Sequence, residues 1–509
     1  MGLIDVNYNL RHYTNPGTSN NTGAISILNN VFLDVYNGTW NWDGGTASGT
    51  GLLRFFTATG SFNTAVMPAF VTYFNNSTLA SSIGGISNSK KIRLSGSNNI
   101  TANLNNTDTI VSHSNPNNFN GNYTNTSSSV LWFDGNESHS FMTFANGFTN
   151  NGKILFDASY YYGNMVITSG TLSNATSGII KVQGNPYSVG YYNLSGNISN
   201  SGTMDIGYQL FHPSGSLTNN SGGIIKGGSY LNNSALKLNN NGTISPGSSP
   251  GILQINANIK NSNTSIWNIE IGGLTAGTQH DQIDNNFGST KDTIDGTLNI
   301  SLINGFVPSL GDSVIIEKHN NFSGTFATIN CQAIPGGLYW NIFYRTNRIV
   351  LRAGNPPNLD IVSTSGPNGT ISPLGTTSIV YNGTQTYNFL PNTNYVVDSI
   401  YVDGSYAGNS SSYTFSNVIV NHTIHVTFKL ISWTITATAG SGGSISPSGN
   451  VSVIQGNNQT FTITPDPCYL IDSVFADGVF IGAVNTKTFN NVIANHTINA
   501  KFRLGPNIS

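Results

Sequence analysis

Apolar residues along this chain come in short runs of β-branched and aromatic types, separated by Asn-Gly, Gly-Gly and Ser-Gly. Runs of that kind between turn residues read as strands: branched and aromatic side chains fit a pleated surface, and glycine or asparagine accepts the dihedrals of a tight turn. No stretch longer than about ten residues combines apolar positions at i, i+3 and i+4 with a capping residue, so helices are not expected. The pattern predicts an all-β protein.

Between residues 145 and 241 the runs acquire a period. Turn glycines with an Asn- or Ser-rich lead fall at Gly152, Gly178, Gly202, Gly222 and Gly242, at intervals of 26, 24, 20 and 20 residues. Short apolar strands flank them, such as Ile154-Leu155-Phe156, Ile179-Ile180-Lys181-Val182 and Ile224-Ile225. A repeat of about 20 to 26 residues suits a right-handed parallel β-solenoid, in which each coil buries its inward side chains on the next and stacked asparagines share hydrogen bonds at the turns. On this reading Ile179, Leu194, Ile206, Leu217, Ile224 and Leu238 point into one continuous apolar column. Residues 1–145 are less regular and richer in aromatics (Phe32, Tyr36, Trp40, Trp42, Phe55, Phe56). They read as the start of the same solenoid with an N-terminal cap region, giving one unit over 1–241.

The C-terminal part repeats outright. Residues 357–430 and 431–504 align without a gap at an offset of 74. Ile371-Ser372-Pro373 matches Ile445-Ser446-Pro447, Asp403-Gly404 matches Asp477-Gly478, and Asn421-His422-Thr423-Ile424 matches Asn495-His496-Thr497-Ile498. Two tandem copies of one small β domain are expected, over 356–430 and 431–505. Residues 434–438 and 460–464 alternate as strands, and Asp477-Gly478 has the form of a tight hairpin turn. The unit resembles the small β-grasp-like repeat named after the B repeat of listerial internalin. That resemblance implies stalk or spacer modules of bacterial surface proteins and brings no catalytic residues.

Residues 242–355 form a further block. It opens on the string Gly242 to Gly251 (GTISPGSSPG), continues through Trp267-Asn268-Ile269-Glu270-Ile271 and Gly296-Thr297-Leu298-Asn299-Ile300, and ends on Trp340-Asn341-Ile342-Phe343-Tyr344 and Ile349-Val350-Leu351. This order resembles the end of autotransporter-type adhesin passengers, where a turn of this kind leaves the solenoid and a β cap closes it. The resemblance implies a β cap domain over 242–355. No membrane barrel follows in the sequence, so self-translocation by that route is not expected.

Composition narrows the function. Charged residues make up 8% of the 509, against about 25% in ordinary globular domains. Net charge is -2, which gives no electrostatic footprint for nucleic acid or an anionic membrane. No run of about 20 apolar residues exists to span a bilayer, and residues 1–25 hold no basic-then-apolar leader, as at a mature terminus. The neutral, Asn- and Thr-rich surface and the near-absence of thiols point to an extracellular, cell-surface location. Cys331 and Cys468 are compatible with a disulfide or with two buried thiols.

Solenoids host many polysaccharide lyases and hydrolases, whose sites need paired carboxylates or a calcium-binding cluster. In residues 1–240 only Asp134 and Glu137 are close together, in a string that reads as a turn; coil stacking could still unite distant acids. Asp281, Asp284, Asp292 and Asp295 form the densest acidic cluster, with a structural role expected. The nine histidines form no ligand set, and His422 and His496 read as strand-edge hydrogen-bond donors. No catalytic, cofactor-binding or metal-binding residues are assigned and no cofactor is expected. Tyr160, Tyr161 and Tyr162, with Tyr187, Tyr191 and Tyr192, are the glycan-contact candidates, since ring faces suit sugar C–H groups and hydroxyls suit polar ones. The alternative for these tyrosines is stacking within the solenoid.

Three functions fit: a non-enzymatic surface protein that self-associates into a fibre, a monomeric adhesin binding surface glycans, and, third, a carbohydrate-active enzyme. The first is favoured because so few charges guard the strand edges against pairing with another chain.

Overall fold

The computed structural model describes residues 4–506 apart from 15–16, 115, 137, 159, 185–191, 248–249, 288–290 and 332–333. Every regular element among them is a β-strand. The chain divides into two compact units, Met1–Asn355 and Pro356–Ser509.

The first unit is a parallel β-solenoid. Fifteen strands, from Leu10–Tyr13 to Thr328–Cys331, stack in one continuous ladder. In-register pairing places like positions of successive coils on one another. Leu131, Ile154, Ile180, Met204, Ile225, Ile244, Trp267 and Leu298 thus form one inward column, each 0% exposed. Burying each such side chain contributes about 1.5–3 kcal/mol. On another face Leu172, Ile198, Leu217, Leu238 and Ile259 stack likewise. Leu194, Ile206, Leu217 and Leu238 point inward as expected, but on different faces and not in one column. Ile179 is 40% exposed and Ile224 half-buried; their neighbours Ile180 and Ile225 take the inward places. In an Ile-Ile doublet either residue satisfies a short apolar run, and the period of two, set by the neighbouring coils, decides which one enters the core.

A polar column runs beside the apolar ones. Two residues after an inward apolar position, the next inward position is asparagine: Tyr123 then Asn125, Phe148 then Asn150, Leu172 then Asn174, Ile198 then Asn200. Nine of them, Asn88, Asn106, Asn125, Asn150, Asn174, Asn200, Asn219, Asn240 and Asn261, form an unbroken amide ladder. From Asn88 to Asn240, each Nδ2–H donates to the Oδ1 of the next asparagine at 2.6–2.9 Å, and Asn261 donates to Thr293 O. From Asn106 to Asn219 the amide nitrogen also reaches a backbone carbonyl, as from Asn150 to Ile179 O at 3.4 Å. The Trp267 indole N–H closes the ladder on Asn261 Oδ1 at 3.1 Å. Buried amides stay in the fold only when paired, and here each pairs with its own image one coil away.

The turn glycines sit under this ladder. A Cβ on Gly152, Gly178, Gly202 or Gly242 would come within 2.1–2.3 Å of a backbone carbonyl oxygen of a neighbouring coil. The stack passes through Gly223, not Gly222. Gly223 faces Asn200 O, whereas Gly222 has open space and a φ of +82°. One glycine is needed for close approach and its neighbour for the turn.

Parallel coils continue past Gly242, where the sequence pattern placed the start of a cap. Ile244 pairs with Trp267, Trp267 with Leu298 and Leu298 with Ile329. Only later does the chain turn antiparallel: Ser313–His319 pairs with Arg348–Gly354, which pairs with Tyr339–Arg345.

In the second unit the two halves have one topology. Asn358–Ser365 pairs in parallel with His422–Leu430 within a five-stranded sheet beside a three-stranded one; Ser432–Ala439 and His496–Leu504 do the same in the second copy. Each has its own core, around Ile361, Tyr387 and Val426 and around Ile435, Phe461 and Ala500. Asp403-Gly404 and Asp477-Gly478 occupy equivalent turns, with φ of 50° and 78° against 49° and 77°. Positive φ at both positions is the signature of a two-residue hairpin turn.

Candidate functional site

Of the described glycan-contact candidates, Tyr160 and Tyr161 are exposed. The turn after Lys153–Ala158 carries Tyr160, 68% exposed, and Tyr161, 39% exposed; the Tyr161 N–H donates to Gly135 O at 3.0 Å. Beneath them, His139 packs on Tyr162 (ring centroids 3.8 Å) and edge-on to Tyr161 (5.1 Å), and Phe141 meets the Tyr162 ring at 5.8 Å. Tyr161 and Tyr162 thus share His139 as a floor, and Tyr160 precedes them in the same turn. Tyr187 and Tyr191 lie outside the described residues. Tyr192 is no glycan contact: it is 2% exposed, packs on Phe156 at 5.5 Å, and its hydroxyl donates to Gln183 O at 3.0 Å. The period of two turns it into the core between Phe156 and Tyr208.

Next to this patch, His113 Nδ1 lies 3.3 Å from Asp134 Oδ2. Burial disfavours the Asp134 carboxylate, but His113 and the Asn136 N–H outweigh it and hold its pKa below the usual range. Glu137 lies outside the described residues. The Asp134 turn is therefore tied to structure through Asn136 and His113.

The acidic cluster of the last coils is split by the fold. Asp284 pairs with Lys318 at 3.5 Å, and Asp295 accepts the Gly296 N–H. Asp281 is buried, receiving N–H groups from Gly251 (2.8 Å) and Glu270 (3.0 Å); burial still pushes its pKa up to about 7. Asp292 is buried near Glu317, which forms an ion pair with His319 at 3.1 Å. Burial first, then the Glu317 charge, pushes Asp292 up. Among the described residues no three His, Cys, Asp or Glu side chains are placed to hold a metal ion.

The histidines of the repeats pair with the turn aspartates. His422 Nδ1 is 2.7 Å from Asp403 Oδ2, and His496 Nδ1 is 2.7 Å from Asp477 Oδ2. Slight burial opposes the charge on both aspartates, yet the histidine and the following strand's N–H hold both carboxyls below their usual range. Cys331 and Cys468 are both free thiols.

These shifts give opposite pH dependences. Asp281 is raised, so the stability it contributes is complete below the unfolded carboxyl value of about 4 and is lost as pH rises to about 7. Asp403 and Asp477 are lowered, so their contribution is present above about pH 4 and is lost below it. Relative to Asp281→Asn, the native chain should lose a few kcal/mol of first-unit stability between pH 4 and 7. Parallel denaturant titrations of both proteins across that range check this; a difference that does not change with pH would contradict it.

Two clusters escaped sequence reasoning. Tyr13, Tyr36 and Phe56 stack on the outer face of the first coils at 5.0 Å centroid spacing. Tyr36 is covered on both sides by Tyr13 and Phe56. Arg345, Arg348 and Arg352 gather on the antiparallel hairpin. Their signal was three arginines within eight residues of a chain that is 8% charged.

Fold and sites together define a parallel β-solenoid joined in sequence to two copies of one small β module. Residues 433–506, the second copy, match the family described as a divergent InlB B-repeat domain. In a search of curated proteins nothing matches the chain. The repeat match and the solenoid are compatible with a surface or adhesive protein. Among the described residues no helix is long and apolar enough to cross a membrane, which leaves β-barrels unaddressed.

Proposed function

We propose that this chain is a non-enzymatic, extracellular structural and adhesive surface protein, the subunit of a cell-surface fibre. The observation that carries the reading is the long parallel ladder in so weakly charged a chain. Its terminal strands, Leu10–Tyr13 and Thr328–Cys331, each pair on one side only among the described residues. Free strand edges template further pairing unless charges, bulges or covering segments block them. Asparagine, serine and threonine exchange water for a partner's hydrogen bonds at little cost. A contact of this type is heterologous and does not close, so it extends into a filament. The B-repeat-like modules serve as spacers or links to neighbours. Sedimentation velocity at rising concentration tests this: the mean size should grow without a preferred oligomer, and one monomeric species throughout would refute the fibre.

The exposed Tyr160 and Tyr161 favour a second reading, a monomeric glycan-binding adhesin. Glycan-array binding that disappears in Tyr160→Ala/Tyr161→Ala would support it.

A further inference from the structure

The antiparallel face that ends the first unit carries a cationic patch with no ion-pair partner among the described residues. Pairing sets Arg345 opposite Arg348, Phe343 opposite Val350, and Arg352 between Asn341 and Ser313. Alternation puts Arg348, Val350 and Arg352 on the outer face while Ile349 and Leu351, both 0% exposed, enter the core. All three arginines are exposed. Among the described residues no carboxylate lies within ion-pair distance of any of them. Asp312, beside Ser313 on the paired strand, accepts the Ser309 N–H at 2.8 Å; Glu317 is buried; Lys318 has its own partner in Asp284.

Like charges facing one another across a strand pair are destabilising. This chain has only 19 Lys and Arg in 509 residues. Three unpaired guanidiniums within eight residues are a local conflict of the sort that folds retain at functional surfaces. They line an open groove of about 400 Å3 with Phe343, Val350 and Ser313.

We propose that this groove binds an anionic polysaccharide of the uronate class. A guanidinium meets a carboxylate with two parallel N–H···O bonds. Arg348 and Arg352, four residues apart on one strand, are separated by roughly 13 Å, a spacing for a chain bearing repeated carboxylates and not for one small anion. Between the arginine rows, Phe343 and Val350 offer an apolar strip for the C–H face of a sugar ring, and Asn341 and Ser313 offer partners for hydroxyls. The Arg345 guanidinium already rests 5.1 Å from the Phe343 ring centroid, so its position is partly set before binding. The site lies within the first unit and does not depend on assembly.

The test is calorimetric titration of the full chain with polygalacturonate, neutral dextran and polyglutamate at two salt concentrations. Polygalacturonate should bind, more weakly at high salt, and dextran should not. Each single Arg→Gln change should weaken binding about three- to tenfold and the triple change about thirtyfold or more. The triple variant's unfolding midpoint should match or exceed the native one, since repulsion is relieved; Arg348→Gln serves if the triple variant does not fold. Undiminished binding by the variants, equal binding of dextran, or polyglutamate bound as tightly as the sugar polymer would each overturn the assignment. A chain that stays monomeric would leave this expectation intact.

Discussion

Replacing Asn150 with leucine is expected to destabilise the solenoid by about 3–6 kcal/mol, although the side chain changes little in size. Asn150 is fully buried in the middle of the amide ladder. Its Oδ1 accepts from Asn125 at 2.6 Å and its Nδ2 donates to Asn174 at 2.7 Å. Leucine would leave a donor on one coil and an acceptor on the next without partners in a dry column, each costing about 1–3 kcal/mol, and would also free the Ile179 carbonyl. Nearest-neighbour coupling in solenoids confines the damage, so amide exchange should accelerate most in the coils carrying Asn125, Asn150 and Asn174. Asn146→Ala, at an exposed position, should stay within about 0.5 kcal/mol. Equal effects at both positions would show that the ladder does not hold the coils.

Gly202→Ala should cost about 3 kcal/mol or more, while Gly222→Asn should cost about 1 kcal/mol or less. An added Cβ on Gly202 would sit 2.2 Å from Gly178 O and 2.3 Å from Ala175 O, and both are backbone atoms held in the preceding coil. The coils would have to separate, loosening the ladder alongside. Gly222 has positive φ and open space, a combination asparagine accepts. Thermal unfolding of the two variants checks the contrast; if Gly222→Asn were the more damaging, the assigned stack would be wrong.

The difference between those glycines marks what was legible in the sequence. The period of the turns was readable, but in Ser221-Gly222-Gly223 the residue that stacks cannot be told from the one that turns without the neighbouring coil's carbonyl. The same limit misplaced Ile179 and Ile224 by one residue, because an Ile-Ile doublet has no alternation of its own. The shared topology of the tandem modules was readable because identical residues recur 74 apart, including both Asp-Gly turns. The string from Gly242 to Gly251 looked like an exit from the solenoid, yet Ile252–Asn261 pairs in parallel with Tyr230–Asn240, so the parallel coils continue beyond it. The amide ladder was written as an apolar residue, any residue, then asparagine, but inward and outward asparagines are indistinguishable in so Asn-rich a chain. For the candidate site, Tyr160 and Tyr161 are exposed, Tyr192 is claimed by the core, and the arginine groove needed cross-strand register to bring Arg345 opposite Arg348.

The proposal that this protein builds surface fibres is tested most directly by negative-stain electron microscopy of native material released from the producing cells. Unbranched filaments with a single repeating subunit contact, labelled along their length by antibodies to the solenoid, are expected. Isolated, uniformly sized particles at every concentration, with no filament on the cell surface, would contradict it.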